Sequence, residues 1–229
     1  MDDPARYSVL DDCLMPARMA PYLRACDGDR ERARRLYVWN IEISAAFWGP
    51  INGVEVAIRN AVHGVLAEHF DRADWWNTRG LDARAVSTAR DEEDKLAARL
   101  PKVTADDVVA ALSFGFWSSM LGGPKGALEQ NLYWQQCLHR AFPGWTHRPN
   151  DARGRKAFLR RIELLRKFRN RVAHHEPIHA RDLRKDHDRI LDVAALIHPD
   201  LASFLRGHSR VPDVLARRTA AVDDGVCQF

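Results

Sequence analysis

The side chains best equipped for chemistry gather in one short run, Arg169-Asn170-Arg171-Val172-Ala173-His174-His175-Glu176-Pro177-Ile178-His179. A guanidinium is always charged, and an imidazole titrates near neutral pH. Together they suit phosphoryl chemistry: the Arg stabilises charge building on a phosphate, and the His moves a proton to or from a ribose oxygen. Pro177 sets the geometry, because the residue before a proline is pushed out of the α region. A helix arriving from Arg155 is therefore expected to stop near His174 or His175. Its unpaired carbonyls would then lie beside both rings and favour protonated imidazole. Asn170 stands one turn before His174 and is expected to orient that ring.

Three readings of this corner compete. His175-Glu176-Pro177-Ile178-His179 spells H-E-x-x-H, the pattern of a zinc hydrolase. That chemistry needs both histidines on one face of a continuous helix, and a proline at the third position disturbs such a helix. The second reading pairs Arg169 with His174 as a phosphate site that needs no metal. On an ideal helix, residues five apart diverge by roughly 140°. The two side chains can therefore meet only if the helix ends between them or a second subunit completes the site. The third reading is structural, with His174, His175 and His179 serving as partners for helix-terminal carbonyls and nearby acids.

Phe158, Ile162, Leu165 and Val172 repeat at helical spacing, and Arg169 falls in the gap of the series. On an inward stripe its charge would need an anionic partner, whether ligand or acid. The same helix is unusually basic. From Arg153 to Arg171 it carries nine Arg or Lys against the single acid Glu163. A solvated face usually mixes signs, so the run reads as a footprint for RNA phosphates, with Arg155, Lys156, Arg160, Arg166, Lys167 and Arg171 as candidate contacts.

The elements that must hold this corner are all helical. Apolar residues recur with period 3 to 4, and no segment alternates as a strand does. Expected helices cover about 11–25, 30–48, 54–70, 82–100, a run opened by a Thr104 cap and closed at Gly122-Gly123-Pro124, 128–142, 155–175 and 180–197, with a short segment after Pro199. Gly49-Pro50 is read as a break, and Trp75-Trp76-Asn77 as a loop. One domain over 1–229 is expected, loosely ordered at 1–10 and about 215–229. The totals, 229 residues with 46% apolar content and a net charge of +4, suit a globular chain with a mild basic bias. Four cysteines form no CxxC pair, no amino-terminal signal pattern is visible, and the longest uncharged run, Val108–Pro124, is shorter than a membrane span. The expectation is a soluble, cytoplasmic protein with no metal and no cofactor.

Arg169-Asn170-Arg171-Val172-Ala173-His174-His175-Glu176-Pro177-Ile178 resembles the signature of the Abi-like (abortive infection) family, a branch of the HEPN superfamily. Ala20-Pro21-Tyr22-Leu23, Leu36-Tyr37-Val38-Trp39-Asn40, Val54-Glu55-Val56-Ala57-Ile58-Arg59-Asn60-Ala61-Val62-His63 and Ser113-Phe114-Gly115-Phe116-Trp117 resemble the same family in the same order. The resemblance implies an all-α, HEPN-like helical bundle with additional helices, dimeric, with the R-x4-6-H motifs of two subunits facing one cleft. It also implies a metal-independent endoribonuclease of an abortive-infection or toxin–antitoxin phage-defence system, cutting RNA by 2′-OH attack. Residue by residue, Arg169 and His174 match the motif's Arg and His, and Asn170 matches the polar residue after the Arg. His175 gives a second spacing, R-x5-H. Glu55, Arg59, Asn60 and His63 match the family's amino-terminal run and are expected to brace the cleft or add phosphate contacts. The implied partners are RNA, a second copy of the chain and an RNA or protein antitoxin. Three alternatives stay open beside the nuclease: a non-catalytic RNA-binding protein held with a small RNA, a zinc-dependent hydrolase using His175-Glu176-Pro177-Ile178-His179, and a scaffold whose His-rich corner only ties helices together.

Overall fold

The computed structural model describes residues 5–78, 81–122 and 133–227, and all regular structure among them is helical. The chain clusters into two compact units. Unit 1 takes Met1–Ile51, Phe168–Ile190 and Leu205–Phe229; unit 2 takes Asn52–Lys167 and Leu191–Phe204. The helices in chain order are α1 (Ala5–Cys13), α2 (Pro16–Ala25), α3 (Arg30–Phe70), α4 (Ala83–Ala97), α5 (Ala105–Ala111), α6 (Phe114–Gly122), α7 (Ala152–Ala173), α8 (Leu183–Ile197), α9 (Pro199–His208), α10 (Val211–Ala216) and α11 (Arg218–Asp223). Among the described residues no helix is long and apolar enough to cross a membrane.

Asp29 opens α3 as an N-cap, its side chain accepting from Arg32 N at 3.0 Å. The expected break at Gly49-Pro50 does not occur: α3 runs 41 residues with Pro50 inside it. Proline removes one amide donor, a local loss, while the apolar row continues across it through Phe47, Ile51, Val54 and Ile58, all buried. The row outweighs the missing bond. The uncharged run divides instead. The Thr104 cap is present as a full capping box with Asp107, but α5 stops at Ala111 and extended Leu112 intervenes. Ser113 then caps α6, its hydroxyl accepting from Phe116 N at 3.2 Å. Asp182 likewise starts α8 at Leu183 rather than Ala180, by accepting from Lys185 N at 3.1 Å. The expected helix over 128–142 is described only from Tyr133, as a short helical stretch followed by a 3-10 turn at Leu138–Ala141; 123–132 lie outside the described residues.

Residues 1–4 and 228–229 lie outside the described residues, but α1 is helical and Asp11 pairs with Arg34 of α3. At the other end, α10 and α11 bury Val214, Ala221, Val222 and, beyond α11, Cys227. Short runs of apolar residues with weak periodicity are enough here because unit 1 supplies a surface for them.

Unit 1 is built on α2 and the first half of α3. Tyr22 meets Tyr37 edge-on, with centroids 5.3 Å apart, and Trp39 donates its indole N–H to Val214 O at 3.2 Å. Phe47 packs edge-on against Phe168 at 4.7 Å. Every buried polar or charged side chain among the described residues belongs to this unit: Asn40, Glu42, His179, Asp186 and His187. Glu42 is held by Arg217 at 2.7 Å, and Asp186 by Arg181 at 2.7 Å and Arg189 at 2.6 Å. Unit 2 has an aromatic core instead, with Trp75, Trp76, Trp117, Trp134, Phe142 and Phe158 all buried. The pair read as a loop, Trp75-Trp76, is a 3-10 turn whose two indoles are fully enclosed.

Candidate functional site

α7 ends at Ala173, where Pro177 places it, and the way it ends matters for the chemistry. His174 N still bonds Asn170 O at 2.9 Å, as within a helix. His175 N then bonds Val172 O at 3.1 Å, and Glu176 N bonds Arg171 O at 2.8 Å. With His175 in the left-handed region at φ 55°, this is a Schellman closure carried by a non-glycine residue. The carbonyls expected to face the imidazoles are therefore largely taken by the backbone, and His175 O accepts from Arg18. His174 and His175 are both exposed.

The buried stripe of α7 is Phe158, Ile162, Leu165, Phe168 and Val172, so Phe168 fills the gap assigned to Arg169. Arg169 is half-buried beside that stripe, as is Asn170. Although α7 ends at Ala173, His174 keeps the helical bond to Asn170 O and the left-handed turn comes only at His175, so the chain does not change course between Arg169 and His174. Within one chain they stay about 140° apart around the axis. Nor does the Asn170 side chain orient His174: among the described residues the only hydrogen bond between the two is the backbone one.

Beyond the closure, the chain is held by a residue of the Leu36–Asn40 run that has no role assigned from sequence. Asn40, 3% exposed on α3, accepts through Oδ1 from both Ile178 N at 2.8 Å and His179 N at 3.0 Å. His179 is buried, its ring tilted on Tyr22 at 4.9 Å, and burial, aided by the charge of Arg218, pushes its pKa down. No helix spans His175 to His179, so the two imidazoles do not project from one helical face as H-E-x-x-H chemistry requires. No group of three or more His, Cys, Asp or Glu among the described residues is placed to hold a metal ion.

The basic helix is less uniformly available than its sequence suggests. Arg166 makes a two-pronged pair with Glu163 at 2.8 and 2.9 Å, and Lys167 reaches the same carboxylate at 3.5 Å. Arg171 pairs with Glu176 at 2.9 Å, across the closure. Arg155 is half-buried with its guanidinium 5.6 Å from the centre of the Trp134 ring, and burial lowers its pKa. On the part of α7 that lies in unit 2 the exposed cations are Arg153, Lys156, Arg160, Arg161 and Lys167. Arg153, Lys156, Arg160 and Lys167 fall at steps of three, four and seven, which places them on one face.

The second group of expected residues, on α3 beyond Pro50, forms a site of its own within unit 2. Arg59, Asn60 and His63 share a cleft of about 360 Å³ with Asp106, Val109 and Ala110 of α5. Glu55, one turn earlier, is half-buried and does not line it. Arg59 and His63 are four apart and so point the same way, unlike the pair on α7. His63 Nδ1 accepts from the Trp75 indole at 3.1 Å. An indole N–H only donates, so the proton of the neutral ring sits on Nε2. Burial lowers the His63 pKa, opposed by the charge of Asp106. Asp106 and Trp75 had no signal in the sequence: the first reads as part of a helix start, the second as loop.

Comparison of the chain with family models, with curated proteins and with solved structures finds no significant match.

Proposed function

We propose that the chain is a metal-independent endoribonuclease, acting in the cytoplasm as the toxin of an abortive-infection or toxin–antitoxin system. What carries the reading is the end of α7: an exposed His174 at a closed and anchored helix terminus, with Arg169 and Asn170 half-buried one turn before it. In the proposed reaction a neutral His174 takes the proton of a ribose 2′-OH. The 2′ oxygen attacks phosphorus, the bond to the 5′ oxygen breaks, and that oxygen leaves with a proton from a second imidazole. The products are a 2′,3′-cyclic phosphate and a 5′-OH. Arg169 neutralises the non-bridging oxygens as charge builds. Since the two motif residues diverge around α7, the working pair is composed across two copies of the chain, each lending its Arg169 and His174 to one cleft, and the second imidazole is the partner's His174. An RNA or protein antitoxin would act by covering that cleft.

The test is cleavage of single-stranded RNA by wild type and His174→Ala, read for cyclic-phosphate ends. Wild-type cleavage that withstands a chelator and is lost in His174→Ala, with an unchanged melting temperature, supports the proposal. Cleavage abolished by the chelator, or retained in His174→Ala, overturns it. The exposed face of Arg153, Lys156, Arg160 and Lys167 favours a second reading, a non-catalytic RNA-binding protein. That reading expects binding that weakens steeply with salt and survives His174→Ala.

A further inference from the structure

The cleft on α3 and α5 brings together polar groups that the rest of unit 2 leaves unused. Arg59 is half-buried, and its Nε is fully enclosed with no hydrogen-bond partner. Four other half-buried guanidinium groups are committed to carboxylates, Arg34 to Asp11, Arg166 to Glu163, Arg181 and Arg189 to Asp186, while that of Arg155 lies over the Trp134 ring. An enclosed nitrogen without a partner is costly, and the rest of the Arg59 guanidinium lines the cleft, where an anionic occupant would neutralise it. Asp106 lines the same cleft, yet no ion pair joins it to Arg59 among the described residues. The cleft thus keeps a guanidinium and a carboxylate apart.

The donors lie close together on one helix. Arg59 offers a planar fork that matches phosphate, Asn60 an amide, and His63 the N–H of Nε2. Trp75 holds the His63 ring in that tautomer, and it is itself wedged against Trp76, with centroids 5.4 Å apart. Rigid donors of this kind favour an anion with several acceptor oxygens over a single-oxygen ligand. On the α5 side Asp106 can only accept while ionised, which suits a sugar hydroxyl or a base amino group and repels a second phosphate. Val109 and Ala110 add an apolar surface between the two. The volume, about 360 Å³, sits at the small end of the roughly 300–1,000 Å³ of ligand sites and has room for one nucleotide.

From this juxtaposition we infer that the cleft binds one ribonucleotide unit, with Arg59, Asn60 and His63 on its phosphate and Asp106 on a hydroxyl or amino group of the same unit. The cleft shares no residue with the end of α7, and binding there does not depend on cleavage at His174. Its occupant is either a free nucleotide or one residue of an RNA strand.

Titration calorimetry on the full chain tests it, with inorganic phosphate, adenosine 5′-monophosphate, a short single-stranded RNA and free glycine as titrants. The expected result is that adenosine 5′-monophosphate binds more tightly than phosphate, that Arg59→Gln weakens it at least about tenfold, and that His174→Ala leaves it unchanged. Asp106→Asn should weaken the nucleotide but not phosphate. Competition by the RNA against the nucleotide identifies a strand subsite; its failure identifies a free-nucleotide site, and both uphold the inference. Asn60 and Asp106 are exposed, so Asn60→Ala and Asp106→Asn carry the test if Arg59→Gln melts early. Three results overturn it: wild type binding the nucleotide no better than phosphate, equal affinity in wild type and a folded Arg59→Gln, or binding of glycine in place of the nucleotide. Loss of cleavage in His174→Ala with nucleotide binding intact separates this inference from the nuclease proposal.

Discussion

The side-chain oxygen of Asn40 takes the backbone N–H of His179 at 3.0 Å, joining two residues 139 positions apart in the chain. The same oxygen takes Ile178 N at 2.8 Å, so one buried amide fixes both peptide units after Pro177. These donors come from a stretch with no helix or strand to satisfy them.

Replacing Asn40 by Ala strands both amide hydrogens in the interior. An unsatisfied buried donor costs about 1–3 kcal/mol, so Asn40→Ala should lose about 2–4 kcal/mol of stability, the two losses being partly shared through backbone relaxation. Urea denaturation at neutral pH measures this. A loss under about 1 kcal/mol would mean that water reaches the segment readily and that the corner is not anchored by Asn40.

Some of this corner is legible without coordinates. A proline disfavours the α region before it, and at Pro177, where no buried row carries the helix on, that places the end of α7 within two residues. The cap at Thr104 is equally plain, because capping is local chemistry. What periodicity cannot tell is which of two adjacent residues, Phe168 or Arg169, faces inward: both fit a 3.6-residue period within its tolerance, and the neighbouring Phe47 decides. Pro50 misleads for a related reason, since a local penalty is visible in the sequence while the continuous buried row that outweighs it belongs to the tertiary structure. Nothing local tells what Asn40 and Asp106 face. Their partners lie more than forty residues away, and only folding brings them together.

Buried imidazoles set the response to acid. Desolvation lowers the pKa of His179 and of His187, the latter opposed by Asp188 and aided by Arg206. Nε2 of His187 is enclosed and has no partner. Both groups therefore have folded-state pKa values below the unfolded value of 6.5. Above pH 6.5 neither state holds the extra proton, and the full stability is present. As pH falls below 6.5 the unfolded chain takes up protons that the folded chain refuses, so stability drops until the folded values are passed. The melting temperature should fall between about pH 7.5 and about pH 5.5, one unit either side of the unfolded value of 6.5. The fall should be shallower in His187→Leu than in wild type. Parallel curves for the two proteins would show that His187 is hydrated or already charged in the fold.

His175 separates stability from chemistry at the helix end. It occupies the left-handed position of the closure at φ 55°, where an L side chain is strained and glycine is not. Its side chain is exposed and makes no hydrogen bond among the described residues, so little packing is lost on truncation. His175→Gly should therefore stabilise the protein by about 0.5–1 kcal/mol, the gain being trimmed by the greater freedom of glycine in the unfolded chain. The same variant decides which imidazole acts. If His174 is the acting group, His175→Gly keeps RNA cleavage near the wild-type rate while melting at a higher temperature. If cleavage instead collapses in this stabilised protein, the reacting imidazole is His175 and the R-x5-H spacing is the working one. The two readouts are independent: strain acts through the backbone of residue 175, whereas proton transfer acts through a ring.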